Sequence, residues 1–521
     1  MGARAVNHAT ISRRRFLKLS GQAGMGALPF TLGSEVFSPG PIRAAQRAGS
    51  SGVREIQLEA REIDWELAPG KVVKAMAYNG RIPGPEIRLR EGERARITLK
   101  NGLGEPTTIH WHGVDVPNAM DGVPGVTQKP IQPGDTFVYE FDASPAGTRW
   151  YHTHFQEHRQ MDLGLVAPLI IEPAEREGIT YERELTLMLD DWATGTGTPV
   201  LPTAAGTAGG RGGMGGMMGG GMGAMMRGMG GMMGGGGMGG MMRGGGGHQP
   251  AYDVMSINGK AYPATAPLKV RKGERVRLRV INASADHTHV LRLAGHRLRV
   301  THTDGNPLVQ PVEVDAVPIA PSERYDVLLV ADRPGAWLLS CVQPGHAGAG
   351  EQMLVLYEGH EGGTPVGASQ GIGGLDLWHY GRGRGQDVLP RPSEPERAFE
   401  LTLSGGMMGS DVWMINGKRY PDTDPFRLRA GDRARVTITN MSMEAHPMHL
   451  HGQSFKLLAV NGRALSAPIV KDSVDVEPHM GSVGFEFTAH NPGDWFFHCH
   501  KPMHMEGGMI VLAKIAGGSP A

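Results

Sequence analysis

The sequence is short of cysteine, of long apolar runs and of net charge. Among 521 residues only Cys341 and Cys499 are cysteines, so the most the chain can make is one disulfide, which an oxidising compartment would permit. No run of about eighteen apolar residues occurs, and with it goes any membrane-spanning helix of ordinary hydropathy. Lysine plus arginine equals aspartate plus glutamate at 52 each. Helical periodicity is scarce. Glycine, methionine and histidine are plentiful instead, at 79, 30 and 22 residues.

The charge that exists is unevenly placed. Residues 1–45 hold six Arg/Lys and one acid, Glu35, so the remainder carries 46 basic and 51 acidic side chains. That balance argues against nucleic acid as a partner. The basic group Ser12-Arg13-Arg14-Arg15-Phe16-Leu17-Lys18 precedes a mildly apolar stretch from Leu19 to Leu32, and resembles a twin-arginine export signal. Residues 1–45 are therefore expected to be a leader, cut near Ala44-Ala45, and the mature chain to be periplasmic or otherwise exported.

One pattern occurs three times. Asn79-Gly80 leads to Ile87-Arg-Leu-Arg-Glu-Gly-Glu-Arg-Ala-Arg-Ile-Thr-Leu-Lys-Asn101. Asn258-Gly259 leads to the run Leu268–Asn282, and Asn416-Gly417 to Phe426–Asn440. Each holds two alternating strands around a Gly-acid-Arg turn and closes on Asn, where a loop should begin. Gly147-Thr-Arg-Trp, Gly335-Ala-Trp and Gly493-Asp-Trp open a late strand in each copy. Short strands and Pro/Gly turns predict an all-β chain of three sandwiches at 53–175, 183–360 and 396–515, with a Pro/Gly/Arg-rich linker at 361–395. Residues 203–249 belong to none of them. Twelve of the 30 methionines fall between Met214 and Met242 in a glycine-rich insert, which lacks the varied apolar surface needed to offset ordering entropy.

Four histidine motifs carry the chemistry: His110-Trp-His112, His152-Thr-His154, His446-Pro-Met-His449-Leu-His451, and His498-Cys499-His500-Lys-Pro-Met-His504-Met-Glu-Gly-Gly-Met509. A thiolate, two imidazoles and a weak axial thioether are the ligands of a blue electron-transfer copper, and Cys499, His504, Met509 and His446 supply that set. Eight histidines remain, in the pairs 110/112, 152/154, 449/451 and 498/500. Residues i and i+2 of a strand share a face, so each pair can aim two imidazoles into one space. Two pairs come from the first repeat and two from the third, which suits a multinuclear cluster between them. Zinc, which closes its structural sites with four ligands, needs no such set.

These motifs closely resemble those of multicopper oxidases, over roughly 53–515. The resemblance implies three cupredoxin-like Greek-key sandwiches and four copper ions. His446, Cys499, His504 and Met509 fall on the type 1 copper, and His110 and His449 on the type 2 copper. His112, His152, His154, His451, His498 and His500 fall on the type 3 pair. It implies four one-electron oxidations coupled to reduction of O2 to water. Asp121 matches a family carboxylate beside the cluster, its alternative being a turn residue in Met120-Asp121-Gly122. Bacterial spore-coat laccases carry Glu directly after the second type 1 histidine; here that place is Met505, with Glu506 one later, a pattern closer to the copper-resistance branch. Glu506 is the second catalytic candidate on that basis.

The electron donor is a separate question. Thioethers prefer Cu(I), and Met441, Met443, Glu444 and Met505 adjoin type 1 ligands, which favours Cu(I) as substrate; plain packing is the alternative. Small phenols, oxidised as by a laccase, and copper sequestration without turnover are the competing readings. A copper nitrite reductase would lack the eight-histidine cluster. The chain is expected to be a monomer. In the middle repeat, Cys341-Val-Gln-Pro-Gly-His346 parallels Cys499 to His504, with Met353 beyond and His287 or His289 as a further donor. A fifth copper could bind there; a buried free cysteine is the reading preferred from sequence.

Overall fold

Three asparagines at matching places in the repeats adopt the same unusual backbone. Asn79, Asn258 and Asn416 have φ of 52°, 53° and 53°, a left-handed conformation that Asn tolerates through local hydrogen bonds. The computed structural model describes residues 52–195, 251–380 and 395–517. In it each of these side chains latches the strand that opens its repeat. The amide oxygens accept the N–H of Glu59, Met188 and Thr402 at 2.7, 2.8 and 2.7 Å, and the amide nitrogens donate to the carbonyls of Gln57, Thr186 and Glu400.

The opening strand then pairs in parallel with the strand after the turn: Arg54–Ala68 with Arg94–Asn101, Arg183–Trp192 with Arg275–Asn282, and Arg397–Gly405 with Arg433–Asn440. Other strands are added antiparallel, giving two sheets per repeat, of four and four strands in the first and six and five in the others. Side chains alternate in and out along Arg94–Asn101 and Arg433–Asn440, so one face of each strand builds the core. The equivalent middle strand, Arg275–Asn282, is buried on both faces. Its Arg277 and Arg279 reach Asp326, whose other oxygen accepts the Thr148 hydroxyl of the first repeat at 2.6 Å.

The closing asparagines share a task as well. Asn101, Asn282 and Asn440 lie at no measurable exposure. Their amide groups donate across the following loop to the carbonyls of Glu105 and Ile131, of His287 and Ile319, and of Glu444 and Val476. Each loop is thus pinned at its root, which sets where the next strand, the one carrying His110, His289 or His446, begins.

The stretch 361–395 was expected to be linker, yet its described part adheres to the middle sandwich. Val366 bridges Trp337, Leu377 bridges Ala316, Trp378 is buried, and the Tyr380 hydroxyl binds Glu323. Apolar Leu375, Leu377 and Trp378 outweigh the glycines around them there. The expected leader 1–45 and the Met/Gly insert 203–249 lie outside the described residues. No helix among the described residues is long and apolar enough to cross a membrane.

Candidate metal centres

The four His-x-His pairs converge from two strand pairs. His110–His112 runs antiparallel to Gly147–His152, with His110 opposite His152; His446–Leu450 runs antiparallel to Gly493–Cys499, with His449 opposite His498. Alternation along each strand sends both members of a pair to the same side. Ligand atoms gather in three buried groups, each within 4.8 Å: His110, His112 and His449; His112, His152 and His500; His154, His451 and His498.

Hydrogen bonds at the far ring nitrogen fix how the imidazoles point. The Nδ1–H of His110 donates to the Asp121 carbonyl at 2.9 Å and that of His449 to the Asp472 carbonyl at 2.8 Å. Their Nε2 lone pairs then face each other at 3.4 Å. His152 and His498 likewise donate Nδ1–H to the carbonyls of Thr153 and Cys499, and His451 donates to the Asp121 carboxylate at 3.0 Å. The His451 and His498 Nε2 atoms stand 3.0 Å apart. Nε2 of His152 and His154 and both ring nitrogens of His500 are buried without a hydrogen-bond partner. Lone pairs aimed at one another, and orphaned buried nitrogens, are costly unless a cation lies between them.

Burial and the neighbouring imidazoles hold His112, His152, His154, His449, His451 and His500 well below the ordinary imidazole range; burial holds His498 at about 4. The rings are therefore neutral, the form that binds a metal.

Cys499 lies on the opposite face from its neighbours. Its Sγ is 3.6 Å from Nδ1 of both His446 and His504, and those two Nδ1 atoms are 3.0 Å apart. The tautomers are inverted here relative to the cluster. His446 donates its Nε2–H to Ser442 Oγ at 2.7 Å, and His504 Nε2 lies 3.3 Å from the Glu444 carboxylate. The Cys499 N–H donates to the Met509 carbonyl at 3.2 Å, closing the loop that carries His504 on the helix Pro502–Glu506. Met509 is fully buried. Burial pushes the Cys499 thiol up, so the thiolate needs a cation beside it.

Carboxylates surround the cluster. Asp121 reaches both His110 and His451. Asp472 lies 3.2 Å from His112 Nε2 and is gripped by Arg324 and Arg149. Neither Asp472 nor Arg324 stands in a histidine motif, and sequence reasoning missed both. Glu157 was missed too. Its carboxylate lies 3.0 Å from His154 Nδ1 at no measurable exposure, and burial followed by the Glu506 charge raises it well above the carboxylate range. Its signal was an acid three residues beyond a motif histidine. Glu506 bonds His158 and, with His154, Gln156 and Met505, lines an open hollow at the surface.

Other expectations fare differently. Met441 and Met443 are 55% and 74% exposed, joined by Met480 at 61% and Met407 at 76%, both unforeseen. Met480 N–H bonds the Asn440 carbonyl, so its loop adjoins that of Met441. Met505, expected as a Cu(I) donor, is instead packed with Val123, Phe496 and Ile510, because the short helix turns it inward. In the middle repeat Cys341 and His346 do meet, but with His289 and Glu351. Met353 is a core residue opposite Leu339, and the His287 ring is held by Asp191 at 2.8 Å.

Three multicopper oxidase family models match the chain, over 59–176, 234–360 and 392–517. The chain is 34% identical to multicopper oxidase MmcO of Mycobacterium tuberculosis over 85% of its own length and 83% of the relative's. It is 29% identical to copper resistance protein A of Escherichia coli, over 97% and 99%. A solved multicopper oxidase from Pseudomonas thermotolerans has a TM-score of 0.64 at 26% identity, covering 90% of this chain and all of that one. A laccase structure from Botrytis aclada shares the fold, at TM-score 0.66 and 22% identity, covering 88% and 87%. With eight converging imidazoles, a buried thiol beside two more and relatives of this extent, the chain belongs to the multicopper oxidase family, copper-binding oxidoreductases built from cupredoxin sandwiches.

Proposed function

We propose that this chain is an exported cuprous oxidase that takes electrons singly at the Cys499 site and reduces O2 at the eight-histidine cluster. His446, Cys499, His504 and Met509 would hold the type 1 copper. His110 and His449 would hold the type 2 copper, and the triads His112/His152/His500 and His154/His451/His498 the type 3 pair. Copper so bound supplies reversible one-electron chemistry and the reduction of O2 to water.

The residues supply the rest. Cys499 is bonded through the main chain to His498 and His500, giving a short covalent route between the two centres. Asp121, touching ligands of two groups, orients them and can hold a proton beside the cluster. Glu157, kept protonated by burial, and Glu506 at the hollow's rim form a path by which protons enter near His154.

The observation that carries the Cu(I) reading is Glu444. Its side chain is 40% exposed, yet it touches His504, so a cation seated on it lies one imidazole from the type 1 centre. Exposed Met441 and Met443 precede it in the chain and offer soft donors to solvent. Relatives named copper resistance protein A accord with that chemistry, while relatives named laccase keep phenols as the alternative. Steady-state O2 uptake with Cu(I), Fe(II) and a phenol on copper-loaded protein tests the reading. Cu(I) is expected to give the highest kcat/KM. A higher value for the phenol assigns a laccase, and no uptake with any donor leaves copper sequestration.

A further inference from the structure

The three repeats can be compared at one pocket, because the backbone bonds that build it recur. In the third repeat Cys499 N–H donates to the carbonyl of Met509; in the middle repeat Cys341 N–H donates to that of Glu351; in the first, Thr153 N–H donates to that of Leu165. Ser442 binds His446 Nε2 at 2.7 Å, and Ser284 binds His289 Nε2 at 2.7 Å. The first-repeat pocket is filled by neutral groups: Thr107, Thr153 and Gln160 hydrogen-bond one another. The middle pocket is not. Within 4.8 Å it gathers His289, Cys341, His346 and Glu351. Cys341 Sγ is 3.3 Å from His346 Nδ1, and Glu351 is 2.6 Å from His289 Nδ1. The second Glu351 oxygen is buried with no hydrogen-bond partner.

We propose that His289, Cys341, His346 and Glu351 form an additional metal site that holds a divalent transition-metal ion, copper or zinc, without serving as an electron entry. The ligand order is that of the Cys499 site, with a carboxylate where Met509 stands. Thiolate, carboxylate and two imidazoles suit either ion, Cu(II) binding tighter by intrinsic order. Two anionic donors neutralise a divalent charge in a buried pocket, and a hard oxygen in place of a thioether favours the divalent state over Cu(I). Val290 N–H also donates to Cys341 Sγ at 3.3 Å, a bond the third repeat lacks because Pro447 has no N–H. Arg292 and Ser340 occupy the strand positions of His449 and His498, so no imidazole wires this site to the cluster.

Metal analysis on protein loaded with copper and with zinc tests this. Wild type is expected to retain one ion per chain more than Cys341→Ser, Glu351→Ala and His346→Ala. The blue absorption of the Cys499 site and O2 uptake should match wild type in all three. An equal metal count in wild type and all three variants overturns the proposal. A second measurement does not depend on those variants folding. In the Cys499→Ser variant Cys341 is the one remaining thiol, and added Co(II) is expected to give a thiolate-to-cobalt absorption band. Absence of that band also overturns it.

Discussion

Arg324 of the middle sandwich closes two hydrogen bonds, at 2.5 and 2.6 Å, on the carboxylate of Asp472 in the third. Asp472 in turn receives Arg149 of the first sandwich and stands beside His112, while its carbonyl holds His449. One carboxylate thus ties three repeats together directly behind the cluster. Removing one partner of a buried ion pair strands the other charge, at a cost of about 3–5 kcal/mol. Arg324→Met and Asp472→Asn are expected to lower the thermal unfolding midpoint and to reduce copper retained by the cluster, while the blue absorption at Cys499 persists in the fraction that stays folded. Metal content and absorption read on the same sample check this.

Glu157→Gln is expected to slow O2 reduction by about 10²-fold, a usual worth for a positioned proton donor, with unchanged reduction of the type 1 centre under anaerobic conditions. Its residual rate should fall more steeply with rising pH than wild type, because the buried acid that stays protonated is gone. Glu506→Gln, at the rim of the hollow, should show a smaller loss. Stopped-flow reoxidation separates the two steps.

Glu444→Gln keeps the shape and removes the charge beside His504. The expected result is a fall of about tenfold in kcat/KM for Cu(I), the effect of roughly 1.4 kcal/mol in a barrier, with phenol oxidation little changed. A parallel loss for both donors would place Glu444 in the upkeep of His504 and not in reception of the cation.

Deletion of 203–249 addresses the methionine-rich insert through function. If that segment gathers Cu(I), its removal raises the KM for Cu(I) and leaves turnover of a small phenol equal or higher. Unchanged Cu(I) kinetics would remove the segment from the mechanism.

Burial, followed by the charge of Glu323, lifts the Asp475 carboxyl to about 7, whereas the unfolded chain ionises it near the usual value of about 3.9. Between those values the folded protein binds the more protons, so this group's contribution to stability falls as pH rises. Asp475→Asn is expected to raise the thermal midpoint relative to wild type at pH 8 and to leave it alike at pH 4. An equal shift at both pH values would contradict the assignment.

The all-β sandwiches and the gathering of the motif histidines around two centres were legible because each is written locally. Repeats such as Phe426–Asn440 show period-two alternation, and His-x-His on a strand needs no partner to be read. Glu351 was legible in principle: it lies ten residues after Cys341, as Met509 lies ten after Cys499. A search for a second thioether led past it to Met353. Arg324 and Asp472 were not legible, since each acquires its role from tertiary neighbours far off in the chain; Glu157 stood three residues beyond a motif histidine, but the burial that gives it its role is written in no local pattern. Met505 failed for a similar reason: the direction in which a one-turn helix points a side chain is set by what it packs on.

Lys501 follows the last cluster histidine and precedes the helix that carries His504. Its ammonium is held by Asp286 of the middle sandwich at 2.8 Å, with Glu444 at 3.6 Å. The third repeat is therefore not a portable module. Cut out alone, it would keep His446, Cys499, His504 and Met509 in its own sequence, yet lose the Asp286 anchor of the loop that carries His504. The loop that carries His504 is thus braced jointly, by Glu444 of its own sandwich and by Asp286 of the neighbouring one.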